Sequence, residues 1–455
     1  MSTRVWWLRR DLRVADHPAL LTAADGGAVV PLFVLDPALW AAAGAPRQAR
    51  LLASLRSLDA DLRDRYAVSL VVRVGSPLTV VPALATEVGA VAVHVTAETT
   101  PYGRRRDTAV RAALNAQGRE LVATGTAYAI GPGTVRTGGG TPYRVFTPFA
   151  RAWRALGAPG PAPAPSRLIG LRAVPSDDLP LVESSGVAAE GVVAGESAAR
   201  VRWEEFLRDG VADYGERRDR PDLDGTSRLS AALKFGEVHP RTLLADLARS
   251  PAAGSPGATT FVTELAWREF YADVLWHHPA SAWSDLRPMA GMVYDEPSAG
   301  FEAWRAGRTG FPFVDAGMRQ LAATGWMHNR VRMVTASFLV KDLHVWWPHG
   351  ARHFMALLAD GDLASNSHGW QWCAGTGTDA APYFRVFNPV GQGLRFDPDG
   401  AYVRRWVPEL AHLPGAAAHE PWRHPRGYAA SYPTRILDHA VEREEALRRY
   451  AATRT

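Results

Sequence analysis

Four segments of this 455-residue chain set side chains at spacings that a packed core does not need. In the first, Gly225-Thr226-Ser227-Arg228-Leu229-Ser230 precedes the helical run Ala231–Phe235. A glycine and three hydroxyls at a helix start present backbone N–H groups and the positive end of the dipole, which suits a phosphate or pyrophosphate. The same residues read equally well as an ordinary serine N-cap. In the second, Thr263–Tyr271, helical spacing puts Glu264, Trp267, Arg268 and Tyr271 at i, i+3, i+4 and i+7 on one face. That face joins a carboxylate, a stacking indole and a guanidinium, whereas a core face would be apolar. In the third, Gly325–Met333, Asn329 and Met333 stand one turn apart with Arg330 beside them. Asn329 suits the edge of a base and Arg330 a phosphate, although Met333 taken singly reads as packing. In the fourth, Asp360-Gly361-Asp362 runs on to Asn366, Trp370 and Trp372 within 13 residues. Asp-x-Asp suggests a metal, but no calcium-type loop continues after it. Carboxylates that accept N–H bonds from a heterocyclic ring fit better.

The common α/β chemistries lack their motifs. A Walker loop needs Gly-Lys, and the two lysines, Lys234 and Lys341, both follow apolar residues. Gly131-Pro132-Gly133 is followed by Arg136 where a dinucleotide loop needs its third glycine, and no Gly-x-Ser-x-Gly elbow occurs. His349 and His353 have zincin spacing, but Gly350 occupies the place of the glutamate. No metal site is expected. Cys373 is the sole cysteine, which excludes an internal disulfide and an iron–sulfur cluster held by about four thiolates.

Composition fits a globular protein, with 47% hydrophobic and 21% charged residues and a net charge of +5. Of 51 basic residues, 51 minus 2 leaves 49 arginines. A sequence pI near 9.5 is compatible with a polyanionic partner. Tryptophan, at 16, outnumbers both phenylalanine and tyrosine. The start of the chain runs into Arg9-Arg10-Asp11, and Ala28–Leu35 is too short to span a membrane, so a cytoplasmic location is expected.

Strand-like runs at Val5–Leu8, Ala28–Leu35, Leu70–Val74, Val91–Val95 and Glu120–Ala123 alternate with helical stretches at Arg47–Arg65, Leu78–Val88 and Arg104–Gln117. That alternation predicts βαβ units and a Rossmann-like parallel sheet over residues 1–130. Glycine and proline then predict a linker over 131–195, with one helix around Phe146–Leu156. Residues 196–455 read as all-helical.

These segments resemble the DNA photolyase/cryptochrome family, together with Trp7-Leu8-Arg9-Arg10-Asp11-Leu12-Arg13 and Thr376–Arg385. The resemblance runs from end to end. It implies an N-terminal α/β antenna domain and a helical C-terminal domain that binds FAD and DNA. By the resemblance, Tyr214 and Thr226–Ser230 hold the FAD phosphates and ribose, and Phe261 and Arg268 lie near the cofactor. Arg332, Asp360, Gly361 and Asp362 bracket the flavin, and Asn366 faces its N5. Arg218, Glu264, Trp267, Arg268, Tyr271, Asn329, Arg330, Met333, Trp372 and Gln392 match contacts to DNA and lesion.

Glu264, Trp267, Asn329 and Met333 together are similar to class I, which repairs cyclobutane pyrimidine dimers. That class acts as a deoxyribodipyrimidine photo-lyase on UV-damaged DNA, flips the lesion out and passes it an electron from excited, fully reduced FAD. Glu264 is then expected to stabilise the dimer's radical anion. The resemblance also implies a monomer, and leaves a cryptochrome-like photoreceptor without repair activity as the alternative. Trp370 and Trp347 match the inner members of an electron-transfer chain. The outermost tryptophan aligns with Tyr294, a departure that weakens photoreduction more than repair. Glu98–Arg104 resembles relatives that carry 8-hydroxy-5-deazaflavin as antenna in place of methenyltetrahydrofolate.

Overall fold

The computed structural model describes residues 2–171, 173–181 and 193–453. Its contacts divide the chain into two compact units, Met1–Ala212 with Ser227–Pro279, and Asp213–Thr226 with Ala280–Thr455.

In the first unit, β1 (Ser2–Leu8), β2 (Gly27–Leu35), β3 (Val71–Val74), β4 (Ala90–Ala97) and β5 (Glu120–Thr126) form a parallel sheet in the order β3-β2-β1-β4-β5. A two-residue strand, Ile169–Gly170, also pairs with β2. Both faces are covered, so β2 is buried at all nine positions and reads as a continuous apolar run. Alternation sends Trp6 and Leu8 to one face with Val29 and Phe33, and Val5 and Trp7 to the other with Val30 and Leu32. The helices α1 (Pro18–Ala24), α2 (Ala45–Tyr66), α3 (Pro77–Glu87) and α4 (Pro101–Asn115) connect these strands. The expected strands and the three expected helices are present; α1, at seven residues, is too short to show a period. A helix, α5 (Phe146–Leu156), lies within the expected linker, of which 172 and 182–192 fall outside the described residues. The same unit contains α6 (Ser230–Phe235) and α7 (Pro256–His277).

Among its described residues the second unit contains helices and no strand beyond an isolated bridge. Its core lies around α8 (Pro312–Thr324), α9 (Asn329–Lys341), α10 (Trp347–Leu357) and α11 (Leu363–Ala374). Local chemistry sets their ends. Gly325, at φ 66°, closes α8 in the left-handed region. His328 caps α9 by accepting from the Arg330 N–H, and Asp362 caps α11 by accepting from the Ser365 N–H. Lys341, buried at the end of α9, donates to the carbonyls of Tyr383 (3.2 Å) and Arg385 (2.8 Å), which ties the loop after α11 to the core.

Candidate functional site

In the first unit, Ser255 caps α7 from the Ala258 N–H, with Pro256 at the first helical position. Phe261, Leu265, Ala266 and Phe270 are buried, and Glu264, Trp267 and Tyr271 are partly exposed on the face their spacing predicts. The Trp267 ring stacks on Phe146 of α5, with centroids 3.6 Å apart at 9°, and tilts against Tyr271 at 5.4 Å. One face of the indole is therefore held before any ligand arrives. Phe261 stacks on Trp203 at 5.2 Å.

Arg268 shares that helix and is partly exposed, with its guanidinium anchored to protein at two of its N–H groups. It donates to the carbonyls of Ala127 (3.3 Å) and Leu233 (3.0 Å) and lies over the Tyr128 ring. Behind this face are two carboxylates that sequence reasoning missed. Glu269 accepts the backbone N–H groups of Ala129 (3.0 Å), Ile130 (3.1 Å) and Gly131 (2.5 Å), and Asp273 accepts that of Gly133 (2.6 Å). Burial raises the carboxyl pKa of both despite these bonds. The glycines read as linker are thus fastened to α7. Acids at i and i+4 on the buried side of the helix were the available signal.

The Gly225–Ser230 segment settles one alternative. Ser230 is the first helical residue of α6, and Leu229 occupies the cap with no side-chain capping bond, so the serine N-cap reading fails. Arg228 adopts the left-handed region at φ 55°. In the second unit, a Cβ at Gly225 would meet the Arg217 carbonyl at 2.8 Å, so only glycine fits there. Tyr214 is buried, with the Arg218 guanidinium 5.7 Å from its ring centroid.

The second unit brings the third and fourth segments together. Arg332 on α9 donates to Asp360 Oδ2 at 2.7 Å and to the Met327 carbonyl at 2.8 Å. Asp360 is buried, and its Oδ1 has no hydrogen-bond partner among the described residues. A buried carboxylate oxygen left unbonded is costly unless a ligand N–H meets it. Asn366, one turn after the Asp362 cap, donates from Nδ2 to the Ala351 carbonyl at 3.1 Å, which fixes its amide. Asn329 reaches the Met333 sulfur at 3.9 Å as its spacing predicts. Arg330 is paired with Asp219 at 2.9 Å and lies over Phe396. Trp372 is partly exposed on α11, and Gln392 lies on the helix Pro389–Phe396.

Trp370 and Trp347 are both buried in this unit. A Cβ at Gly350 would meet the Trp370 ring at 2.2 Å, so the glycine lets that ring lie against α10, which carries Trp347. Trp304 meets Trp370 edge-on at 6.1 Å. The hydroxyl of Tyr294 is buried without a hydrogen-bond partner among the described residues. Among the described residues no group of three or more His, Cys, Asp or Glu could hold a metal, and no helix is long and apolar enough to cross a membrane.

A second polar cluster occupies the carboxyl ends of β1, β2 and β4. Arg9 pairs with Asp107 at 3.1 Å, Asp11 accepts from Thr96 at 2.6 Å, and Tyr102 donates to Asp36. Glu98 accepts the N–H groups of Thr99 and Thr100, and Arg9 lies over the Trp7 ring. Strand order reverses between β1 and β4, the place where open α/β sheets bind ligands.

Comparison with known proteins agrees with both halves of this geometry. Residues 4–166 match the sequence profile described as DNA photolyase, and 261–452 that of the FAD binding domain of DNA photolyase. A Streptomyces griseus protein named deoxyribodipyrimidine photo-lyase is 46% identical over 429 residues, 93% of each chain. The chain belongs to the DNA photolyase family. A class III photolyase from Agrobacterium tumefaciens superposes with a TM-score of 0.92 at 34% identity, over 100% of this chain and 98% of that one. A cryptochrome from Synechocystis sp. PCC6803 does so at 0.89 and 27%, over 98% of each.

For a photolyase, the donor set around Asp360 fits FAD. Arg332 is the cation, Asp360 Oδ1 the open acceptor for a ring N–H, and Asn366 an amide held in place. Two neighbours of the tryptophans escaped the sequence reading, Trp304 and Asp285. Asp285 accepts the Trp347 indole N–H at 2.6 Å across 62 residues of chain, a separation at which no spacing rule applies.

Proposed function

We propose that this photolyase uses blue light and bound FAD to split cyclobutane pyrimidine dimers in UV-damaged DNA. The observation that carries the reading is the Arg332–Asp360 pair, in which the buried carboxylate keeps an open oxygen, together with the Asn366 amide fixed one turn after the Asp362 cap. Arg332, Asp360, Gly361, Asp362 and Asn366 hold the ring system; Tyr214, Thr226, Ser227, Arg228, Leu229 and Ser230 hold the phosphates and ribose, with Phe261 nearby.

Arginines take the phosphodiester backbone, a salt-dependent term independent of sequence. The flipped lesion stacks on Trp267, which Phe146 supports from behind, and on Trp372. Glu264 and Asn329 hydrogen-bond the dimer, and Glu264 binds its charged form more strongly than its ground state. FAD held by these residues in its fully reduced form would supply light-driven one-electron chemistry to the dimer. Trp370 and Trp347 relay electrons inward when the cofactor needs recharging. Arg268, anchored by two backbone carbonyls and still partly exposed, contributes its remaining N–H groups beside the cofactor and the DNA.

The division of labour proposed is an antenna domain over 1–130, a linker over 131–195 and a repair domain over 196–455. Residues Arg9, Asp36, Glu98 and Tyr102 at the sheet's switch point hold the antenna, 8-hydroxy-5-deazaflavin, in a cytoplasmic monomer. The test is repair of a dimer-containing oligonucleotide by chemically reduced protein, lit against dark. Light-dependent repair is expected, and equal repair in both sinks the reading. A flavin photocycle without repair would favour the photoreceptor. A folate in the purified protein would overturn the antenna assignment.

A further inference from the structure

We propose that Trp346, in place of Tyr294, is the outer electron donor of the relay, and that Asp285 holds the Trp346 and Trp347 indoles as one unit. The inference rests on the relay reading above, in which Trp347 passes electrons inward through Trp370.

The Trp347 indole N–H donates to Asp285 Oδ1 at 2.6 Å and that of Trp346 to the same oxygen at 3.3 Å. The two ring centroids are 6.5 Å apart. Trp347 is fully buried and Trp346 half-buried, so the pair runs from core towards solvent with a carboxylate across both N–H groups. A positive charge left on either indole lies beside a negative one, and in a partly desolvated site that attraction is strong.

The two rivals lack this. Tyr294 stands close by, since the Asp295 N–H donates to the His344 carbonyl at 2.9 Å. A phenol gives up an electron readily only as its proton leaves, and the Tyr294 hydroxyl has no acceptor among the described residues. Burial, with Asp285 and Tyr383 nearby, pushes its pKa further up. Trp304 touches Trp370, but it is 0% exposed and its N–H goes to the neutral Thr335 carbonyl at 3.0 Å. A charge arriving there is cut off from solvent, with a neutral carbonyl as its hydrogen-bond partner.

In the step, Trp347 loses one electron inward through Trp370, for which bound flavin would be the acceptor, and regains it from Trp346. The Trp346 cation releases its Nε1 proton to Asp285 or water. A soluble thiol returns one electron and one proton to Trp346, and two thiols so oxidised couple as one disulfide. Asp285 is a positioning residue in this scheme, because it acts through the indoles.

The experiment is blue-light flavin reduction in the holoprotein with dithiothreitol. Trp346→Phe should slow it about tenfold or more and Tyr294→Phe less than about twofold. Reversed effects, or no effect of Trp346→Phe, overturn the inference. Should that variant misfold, wild-type protein with ring-deuterated tryptophan or tyrosine tests the phenol, since only the tryptophan label should narrow the trapped radical's resonance, and Trp304→Phe tests the other rival, since it should leave that radical in place; narrowing by the tyrosine label, or loss of the radical in Trp304→Phe, overturns the inference. In the dark holoprotein, Asp285→Ala should move the indole N–H signals of both Trp346 and Trp347, and a stationary Trp346 signal removes the shared carboxylate. Lit repair by chemically reduced wild-type protein needs no relay, so failure there strikes the photolyase reading alone.

Discussion

Glu264 lies on the partly exposed face of α7, and its value is expected to depend on charge that exists only during the reaction. Glu264→Ala should slow repair per absorbed photon roughly tenfold to a hundredfold, while the flavin-to-protein ratio stays unchanged. Loss of flavin would make the residue structural. Residues of this kind are legible in a sequence because one helix repeats them at i, i+3 and i+7. Arg268 occupies the same face by spacing, yet its partners, the carbonyls of Ala127 and Leu233, lie 141 and 35 residues away. Spacing along one helix identifies the face and says nothing of what distant backbone takes from it. The same limit hid Asp285, Asp219 and Phe146, each of which fixes a side chain the sequence had singled out.

At the scale of elements, burial carries its own chemistry. His94 on β4 is buried with both ring nitrogens lacking a hydrogen-bond partner among the described residues, in register with Trp6 of β1. Desolvation, with Arg4 nearby, lowers its pKa to about 4. The unfolded chain then binds a proton that the folded sheet refuses between the ordinary pKa and that value. Stability is full above about 6.5 and falls as the pH drops towards 4, by about 3 kcal/mol. His94→Leu should remove that loss, measured as urea midpoints at neutral and acid pH; an unchanged pH dependence would clear His94. The sheet itself was readable because both its faces are covered and its strands are unbroken apolar runs. α1 was not, because seven residues hold too few turns to show a period. The connector was read as loose, although Glu269 and Asp273 clamp its glycines to α7, because glycine and proline announce the turn and conceal its anchor.

For the whole molecule, the arginine excess makes a prediction of its own. Affinity for undamaged duplex should fall roughly a thousandfold between about 50 and about 200 mM salt when about six phosphates are engaged. A flat salt profile, measured by fluorescence anisotropy, would leave the 49 arginines as a compositional habit. Lys341 bears on a different matter. Its ammonium is buried beneath two backbone carbonyls, and Cys373 is buried too. Lys234 is then the single lysine with side-chain exposure, in a chain that offers no exposed thiol among its described residues. Acylating and alkylating probes should find almost nothing to react with, so one introduced cysteine would accept a fluorophore at a single defined address.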